Sequence, residues 1–195
     1  MKNKDDLSTL SDKDKDKSGS ILSNDDKDRF IYLSGNVDED KAKDVIEKLL
    51  ELQTADPLEE ITMIINSGGG EIYSMFAITD MMDIMYAPIR TICLGSAMSA
   101  AAFIFVCGTK GLRFMTQHSS LMMHQVSGGA FGTTKDINVQ VAEIKFLQEE
   151  MIKEVSKRSE LSYEQIKELI DRDCFIRPQQ AIDYGFCDGI IGRLS

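Results

Sequence analysis

The stretch Thr91-Ile92-Cys93-Leu94-Gly95-Ser96-Ala97-Met98-Ser99-Ala100-Ala101-Ala102-Phe103-Ile104-Phe105-Val106-Cys107-Gly108 restricts the chain most. It starts as a β-type apolar run, breaks at Gly95, and resumes as a helix of small and apolar residues that Gly108 can stop. Two serines, Ser96 and Ser99, stand at the break in uncharged surroundings. A hydroxyl at a strand-to-helix junction has the first free backbone N–H groups of the helix beside it, and these can stabilise negative charge on a substrate oxygen. On this stretch alone, capping or packing of the helix is the better account of both serines.

The flanking sequence repeats the strand–helix alternation. Arg29 to Gly35 reads as a strand, Val37 to Thr54 as an amphipathic helix ended by Asp56-Pro57, and Ile61 to Asn66 as a nearly all-apolar strand covered on both faces. Ser67-Gly68-Gly69-Gly70 leads into a helix from about Tyr73 to Met85, and Pro88 to Leu94 is a third strand. Such alternation predicts an α/β fold built from crossover units. Short strands follow at Leu112–Met115 and Ser120–His124, then a glycine-rich ribbon over Ser127–Gly132. A long helix is expected from Thr133 to about Ser159, with apolar positions at Ile137, Val141, Ile144, Leu147, Met151, Ile152 and Val155. Ser162 caps another helix in a capping-box pattern with Gln165, and Pro178 to Tyr184 is the last, stopped by Gly185.

Residues 1–28 are dominated by Lys, Asp and Ser and cannot bury enough apolar surface to offset their ordering entropy. They are expected to be a disordered tail ahead of a single domain over residues 29–195. A net charge of −10 excludes nucleic acid and anionic membrane surfaces as expected partners, because phosphate binding needs clustered Lys and Arg. Cys93, Cys107, Cys174 and Cys187 lack paired metal-ligand spacing, and Cys93 and Cys107 fit buried, reduced thiols. No signal-peptide core and no bilayer-length apolar run is present, so a cytoplasmic location is expected.

The two histidines differ in setting: His118 stands in a polar turn, whereas His124 ends an apolar strand ahead of the glycine-rich ribbon. Asp173 lies in Asp171-Arg172-Asp173-Cys174-Phe175, between two helices. Singly, His124 is an ordinary core histidine and Asp173 a member of a helix-end charge cluster. Jointly, a serine at a helix start, a strand-end histidine and a loop aspartate supply nucleophile, base and base-orienter. The glycines of Ser67–Gly70 would let backbone N–H groups approach a substrate closely. Phosphate-loop and dinucleotide-binding spacings are absent.

From about Asp28 to Ile191 the chain resembles the ClpP family, the serine-protease subunit of the Clp ATP-dependent proteases. The resemblance is carried by Ile65-Asn66-Ser67-Gly68-Gly69-Gly70, Thr91 to Ser99, Met122-Met123-His124-Gln125, Gly128-Gly129-Ala130, Asp171-Arg172-Asp173-Cys174-Phe175 and Ala181 to Asp188. It implies Ser99 as nucleophile, His124 as general base and Asp173 as the orienting carboxylate, with Gly70 and the N–H of Ala100 as oxyanion hole. Ser96 is then a bystander. Gly128, Gly129 and Ala130 match a strand that pairs with extended substrate, in a handle region over about residues 125–160. Asp171 and Arg172 match residues that pair across a ring interface.

The fold implied is a ClpP/crotonase-like arrangement of β-β-α-type units with a protruding handle helix, assembling into two stacked heptameric rings. The implied activity is hydrolysis of unfolded polypeptides inside that barrel, fed by a AAA+ unfoldase that uses the ATP, with no cofactor or metal bound to the chain. Two other readings stay open: a weakly active or regulatory subunit, and a crotonase-like acyl-CoA enzyme. The chain departs from the family pattern at Gly68 and Val126, where proline is usual, and at Cys174, where arginine is usual. Thr62, Ile64 and Ile84 replace aromatic residues of the unfoldase-docking surface. These departures imply a divergent paralogue, with a second ClpP-like subunit in mixed rings as a further expected partner.

Overall fold

The computed structural model describes residues 29–192. The expected tail over residues 1–28 lies outside the described residues.

The first half of the chain alternates strand and helix, as its apolar patterning predicts: β1 (Phe30–Val37), α1 (Glu39–Ala55), β2 (Ile61–Gly70), α2 (Ile72–Ile84), β3 (Ile89–Met98) and α3 (Ala100–Val106). Two short strands follow, β4 (Arg113–Thr116) and β5 (Ser120–Met123), then α4 (Thr134–Lys157), α5 (Tyr163–Leu169), β6 (Cys174–Ile176), α6 (Pro178–Asp183) and β7 (Gly189–Ile191). One mixed sheet in the order β1-β2-β3-β4-β7 forms the centre, with β5 on β3 and β6 antiparallel on β5. Helix starts are made by local chemistry. Asp38 accepts the Lys41 N–H at 3.0 Å to open α1, and Thr133 with Asp136 and Ser162 with Gln165 form capping boxes on α4 and α5.

Three expectations need correction. Gly95 does not end the third strand: β3 continues through Ser96 to Met98, and the helix begins only after Ser99. Gly95 takes a φ of +85°, which redirects the strand without unpairing it. Residues 91–93 pair with β4, whereas residues 96–98 pair with β5. Likewise Ser67–Gly70, expected only as a lead into the next helix, is the end of β2 and pairs with both β1 and β3 across register shifts. The span around Asp173, read as a link between helices, leads into β6; a three-residue strand is too short to show any periodicity.

Helix α3 is wholly buried, and Leu33, Ile61, Met63, Ile65, Ile78, Cys93 and Phe186 complete the centre of the core around it. Helix α4 behaves differently along its length. Leu147, Ile152 and Val155 are buried, but Val139 and Phe146 are exposed and Ile137 and Val141 are partly so. Of the apolar face read from the sequence, Ile137 and Val141 are thus left partly exposed at its N-terminal end, whereas Val139 and Phe146 lie on the opposite side of the helix. No helix among the described residues is long and apolar enough to cross a membrane.

A buried ion pair locks the sheet to the C-terminal segment. Arg113, on β4, is 1% exposed. Its Nε and Nη2 donate to Asp188 Oδ2 and Oδ1 at 2.9 and 2.7 Å, and its Nη1 donates to the Arg158 carbonyl at 2.7 Å. Burial alone would push the Asp188 carboxyl up. The hydrogen bonds from the Arg113 side chain and backbone and from Gly111 outweigh it, so the pKa lies below the ordinary value. A depressed folded-state pKa gives stability that is present above the unfolded value and lost as pH falls through the folded one. Asp188→Ala is therefore expected to destabilise the domain by about 3 kcal/mol at neutral pH, because it strands a buried guanidinium. The gap to wild type should shrink as unfolding is measured below about pH 4. Denaturant titration of both proteins at several pH values checks this; equal stability at neutral pH would contradict it.

Candidate active site

Ser99 is the junction of β3 and α3 and, among the described residues, the one non-glycine residue with positive φ. Its φ of 53° and ψ of −123° place it in a strained region, a recurrent geometry for a nucleophile raised on a strand-to-helix turn. Three contacts hold the turn. The Ser99 N–H donates to the Met122 carbonyl of β5 at 2.7 Å, and the Ser99 carbonyl accepts the Ala102 and Phe103 N–H groups at 3.0 and 3.2 Å. Gly69, with φ +92°, lies directly against the turn: a Cβ there would sit 2.8 Å from Ser99 Cβ and 3.0 Å from Ala100 N. Nothing in the glycine run itself marks Gly69, because such a run shows permissiveness without showing what approaches it.

The β3–β5 pairing that orients Ser99 also delivers the histidine. Met98 pairs with Met122, and His124 follows β5 directly. His124 Nε2 lies 2.8 Å from Ser99 Oγ, in position to accept the hydroxyl proton. His118, by contrast, is exposed in the turn between β4 and β5.

Asp173 is placed by the antiparallel β5–β6 ladder. Met123 pairs with Cys174, so one further step of the same register sets Asp173 opposite His124. Asp173 is exposed, and among the described residues no hydrogen bond joins it to His124. The neighbouring Asp171 accepts the Gln125 amide, Nε2 to Oδ1, at 2.9 Å, and Arg172 Nε lies 3.9 Å from Asp171 Oδ2 with both side chains exposed. These two thus lie beside the site on a solvent-facing loop.

Gly70 ends β2 opposite Val37, and a Cβ there would collide with the Val37 backbone. The Ala100 N–H opens α3 and has no acceptor within its own helix. Gly70, Ser99, Ala100 and His124 share one cavity of about 290 Å³. Its inner wall is apolar, with Met75, Phe103, Met123, Met151, Val155 and Ile170. Sequence reading treated Met151 and Val155 as core positions of the α4 face, because a pocket wall and a core contact share the same periodicity. Gly128, Gly129 and Ala130 lie in a segment without helix or ladder that leaves His124 toward α4.

Burial disarms two of the cysteines, pushing Cys93 up to about 11 and Cys107 up to about 12, so both remain thiols at neutral pH. Among the described residues no group of three or more His, Cys, Asp or Glu side chains could hold a metal ion.

A family model described as Clp protease matches residues 13–193. The chain belongs to the Clp protease family. It is 41% identical over 152 residues to the ATP-dependent Clp protease proteolytic subunit 1 of Prochlorococcus marinus (strain MIT 9312), covering 78% of each. It is 40% identical over 154 residues to the proteolytic subunit 2 of Synechococcus sp. (strain CC9605), covering 79% of this chain and 78% of that one. Against the proteolytic subunit of Deinococcus radiodurans the identity is 37% over 152 residues, covering 78% and 74%. The family match bears out the resemblance read from the motifs. It favours a Clp-type peptidase subunit over an acyl-CoA enzyme or a purely regulatory chain.

The strained turn has a measurable cost. Ser99→Ala keeps the positive φ, whereas Ser99→Gly relieves it, so the glycine variant should be more stable than the alanine variant by about 1 kcal/mol. Chemical denaturation of the two inactive proteins checks this. An alanine variant as stable as the glycine one would mean that the turn is not strained.

Proposed function

We propose that this chain is a serine endopeptidase of the Clp type that cleaves unfolded polypeptides after apolar residues, with Ser99, His124 and Asp173 as its catalytic set. The observation that carries the reading is the 2.8 Å approach of Ser99 Oγ to His124 Nε2 at a positive-φ strand-to-helix turn. Ser99 Oγ attacks the scissile carbonyl carbon as its proton passes to His124 Nε2. The carbonyl oxygen, now negative, faces the N–H groups of Ala100 and Gly70, which stabilise it in the transition state. His124 then gives the proton to the departing amine, leaving an acyl ester on Ser99. Water attacks that ester with His124 again as base, which releases the acid and restores the serine.

Asp173 would hold His124 in the correct tautomer once its side chain turns inward along the β5–β6 register. Its exposed position supports a site completed by assembly, with the Asp171–Arg172 loop packed against a neighbouring subunit. The exposed apolar residues of α4 support the same view, since two rings meeting through this helix would bury Val139 and Phe146. In this reading the chain forms two stacked heptameric rings, alone or mixed with a ClpP paralogue. It takes its substrate from a AAA+ unfoldase in the cytoplasm. ATP is consumed by that partner, and the hydrolysis proposed here needs no bound cofactor.

The cavity beside Ser99 sets the substrate preference. Its apolar wall admits leucine, methionine or phenylalanine, whereas a charged side chain would be desolvated there without a partner. On the assembled protein, peptides with leucine or methionine before the cut should turn over more than about tenfold faster than those with aspartate or lysine. Ser99→Ala should abolish cleavage, and His124→Ala should lower it by about 10³-fold or more. Cleavage that survives Ser99→Ala, or that prefers charged residues, would overturn the proposal.

A further inference from the structure

Between His124 and α4 the chain runs through residues 125–131 with neither helix nor ladder, yet its course is set by three side chains of α4. Gln148 Oε1 accepts the Val126 N–H at 2.5 Å. Gln140 uses both ends of its amide: Oε1 accepts the Phe131 N–H at 3.1 Å, and Nε2 donates to the Phe131 carbonyl at 2.9 Å. Ile144 stands midway between the two glutamines, and these four-residue steps put all three on one helix face. Gly128 lies over Ile144, where a Cβ would come within 3.1 Å of Ile144 Cδ1. The stripe is thus polar, apolar, polar, and the segment is pinned at both ends and seated in the middle.

The spacing of the pins decides what conformation they impose. Eight residues of helix separate Gln140 from Gln148, a rise of about 12 Å. The five steps from Val126 to Phe131 could span at most about 17 Å when fully extended. Five helical steps would cover only about 7.5 Å, so the pins hold the segment drawn out, well beyond a helical course. Between the pins, the backbone groups of Ser127, Gly128, Gly129 and Ala130 make no hydrogen bond among the described residues. An extended stretch with unpaired N–H and C=O groups, next to the catalytic histidine, is an edge ready to receive a peptide.

We infer that Gln140 and Gln148 are positioning residues that hold residues 127–130 as a pre-extended pairing edge, so that peptides long enough to reach it bind without first ordering it. The inference rests on the peptidase reading above. Its energetic basis is that a pre-ordered edge spares the loop-ordering entropy that binding would otherwise cost. The two glutamines act through the segment and touch no reacting atom.

The test compares Gln148→Leu, Gln140→Leu and Gln148→Glu with wild type in the assembled protein. Each is given a small ester, p-nitrophenyl acetate, and peptides carrying one or four residues before the scissile bond. For the long peptide, KM should rise about three- to tenfold in each leucine variant, the loss expected for one to two hydrogen bonds, with kcat within about twofold. Ester hydrolysis and the short peptide should be unchanged. Gln148→Glu keeps the acceptor for the Val126 N–H and should restore the wild-type KM. Unchanged long-peptide KM in both leucine variants would overturn the inference, as would a parallel loss of ester hydrolysis, which would mark a general structural role. If wild type hydrolyses the ester but neither peptide, the peptidase reading itself fails and takes this inference with it.

Discussion

The turn at Ser99 is the constraint on which the site depends. A non-glycine residue at φ 53° costs on the order of 1–3 kcal/mol, and it persists only where its surroundings over-determine it. Here they do so from three directions. The β5 carbonyl of Met122 takes the Ser99 N–H, the first turn of α3 closes on the Ser99 carbonyl, and Gly69 fills the remaining side with backbone alone. The bend at Gly95 makes this possible, because it moves β3 from β4 to β5 just before the turn. Ser99 and His124, the proposed nucleophile and base, are then set by one parallel ladder, with Ser99 one step beyond the Met98–Met122 pair and His124 two residues past Met122.

The third member of the set is held less firmly, and the topology explains why. Asp173 depends on β6, a three-residue strand whose one partner among the described strands is β5, and it stands on an exposed loop. The Ser99–His124 pair is anchored in the core through α3, while the carboxylate is anchored at the sheet margin. An arrangement of this kind separates a rigid half of a catalytic site from a half that packing by another subunit can complete. The N-terminal part of α4, with its exposed apolar residues, lies on the same side of the sequence as the peptide-facing segment and ends in the buried Leu147–Val155 stretch that walls the cavity. In the proposed function, one helix thereby connects assembly surface, substrate edge and specificity pocket.

Much of this was legible in the sequence where a signal was local. The strand and helix alternation and the capping box at Ser162 and Gln165 followed from periodicity and cap chemistry. Ser99 and His124 could be named as a pair only through the motif resemblance, since a serine at a helix start and a histidine at a strand end each have ordinary explanations. What stayed hidden was non-local. The continuation of β3 past Gly95 depends on a second partner strand, and a glycine's φ cannot be read from its identity. Burial of Arg113 depends on Asp188, 75 residues away. The roles of Gly69, Gln140 and Gln148 come from what they touch, and nothing in their own neighbourhoods announces it.

The central claim is that Ser99 is activated by His124 within an assembled site, and covalent labelling tests it most directly. The purified chain would be treated with a fluorophosphonate, sized in parallel, and the adduct mapped by peptide mass beside a His124→Ala control. The account predicts one adduct per chain, located on Ser99, formed in the oligomer and strongly slowed without His124. A well-formed oligomer that stays unlabelled, or an adduct on a different residue, would contradict it.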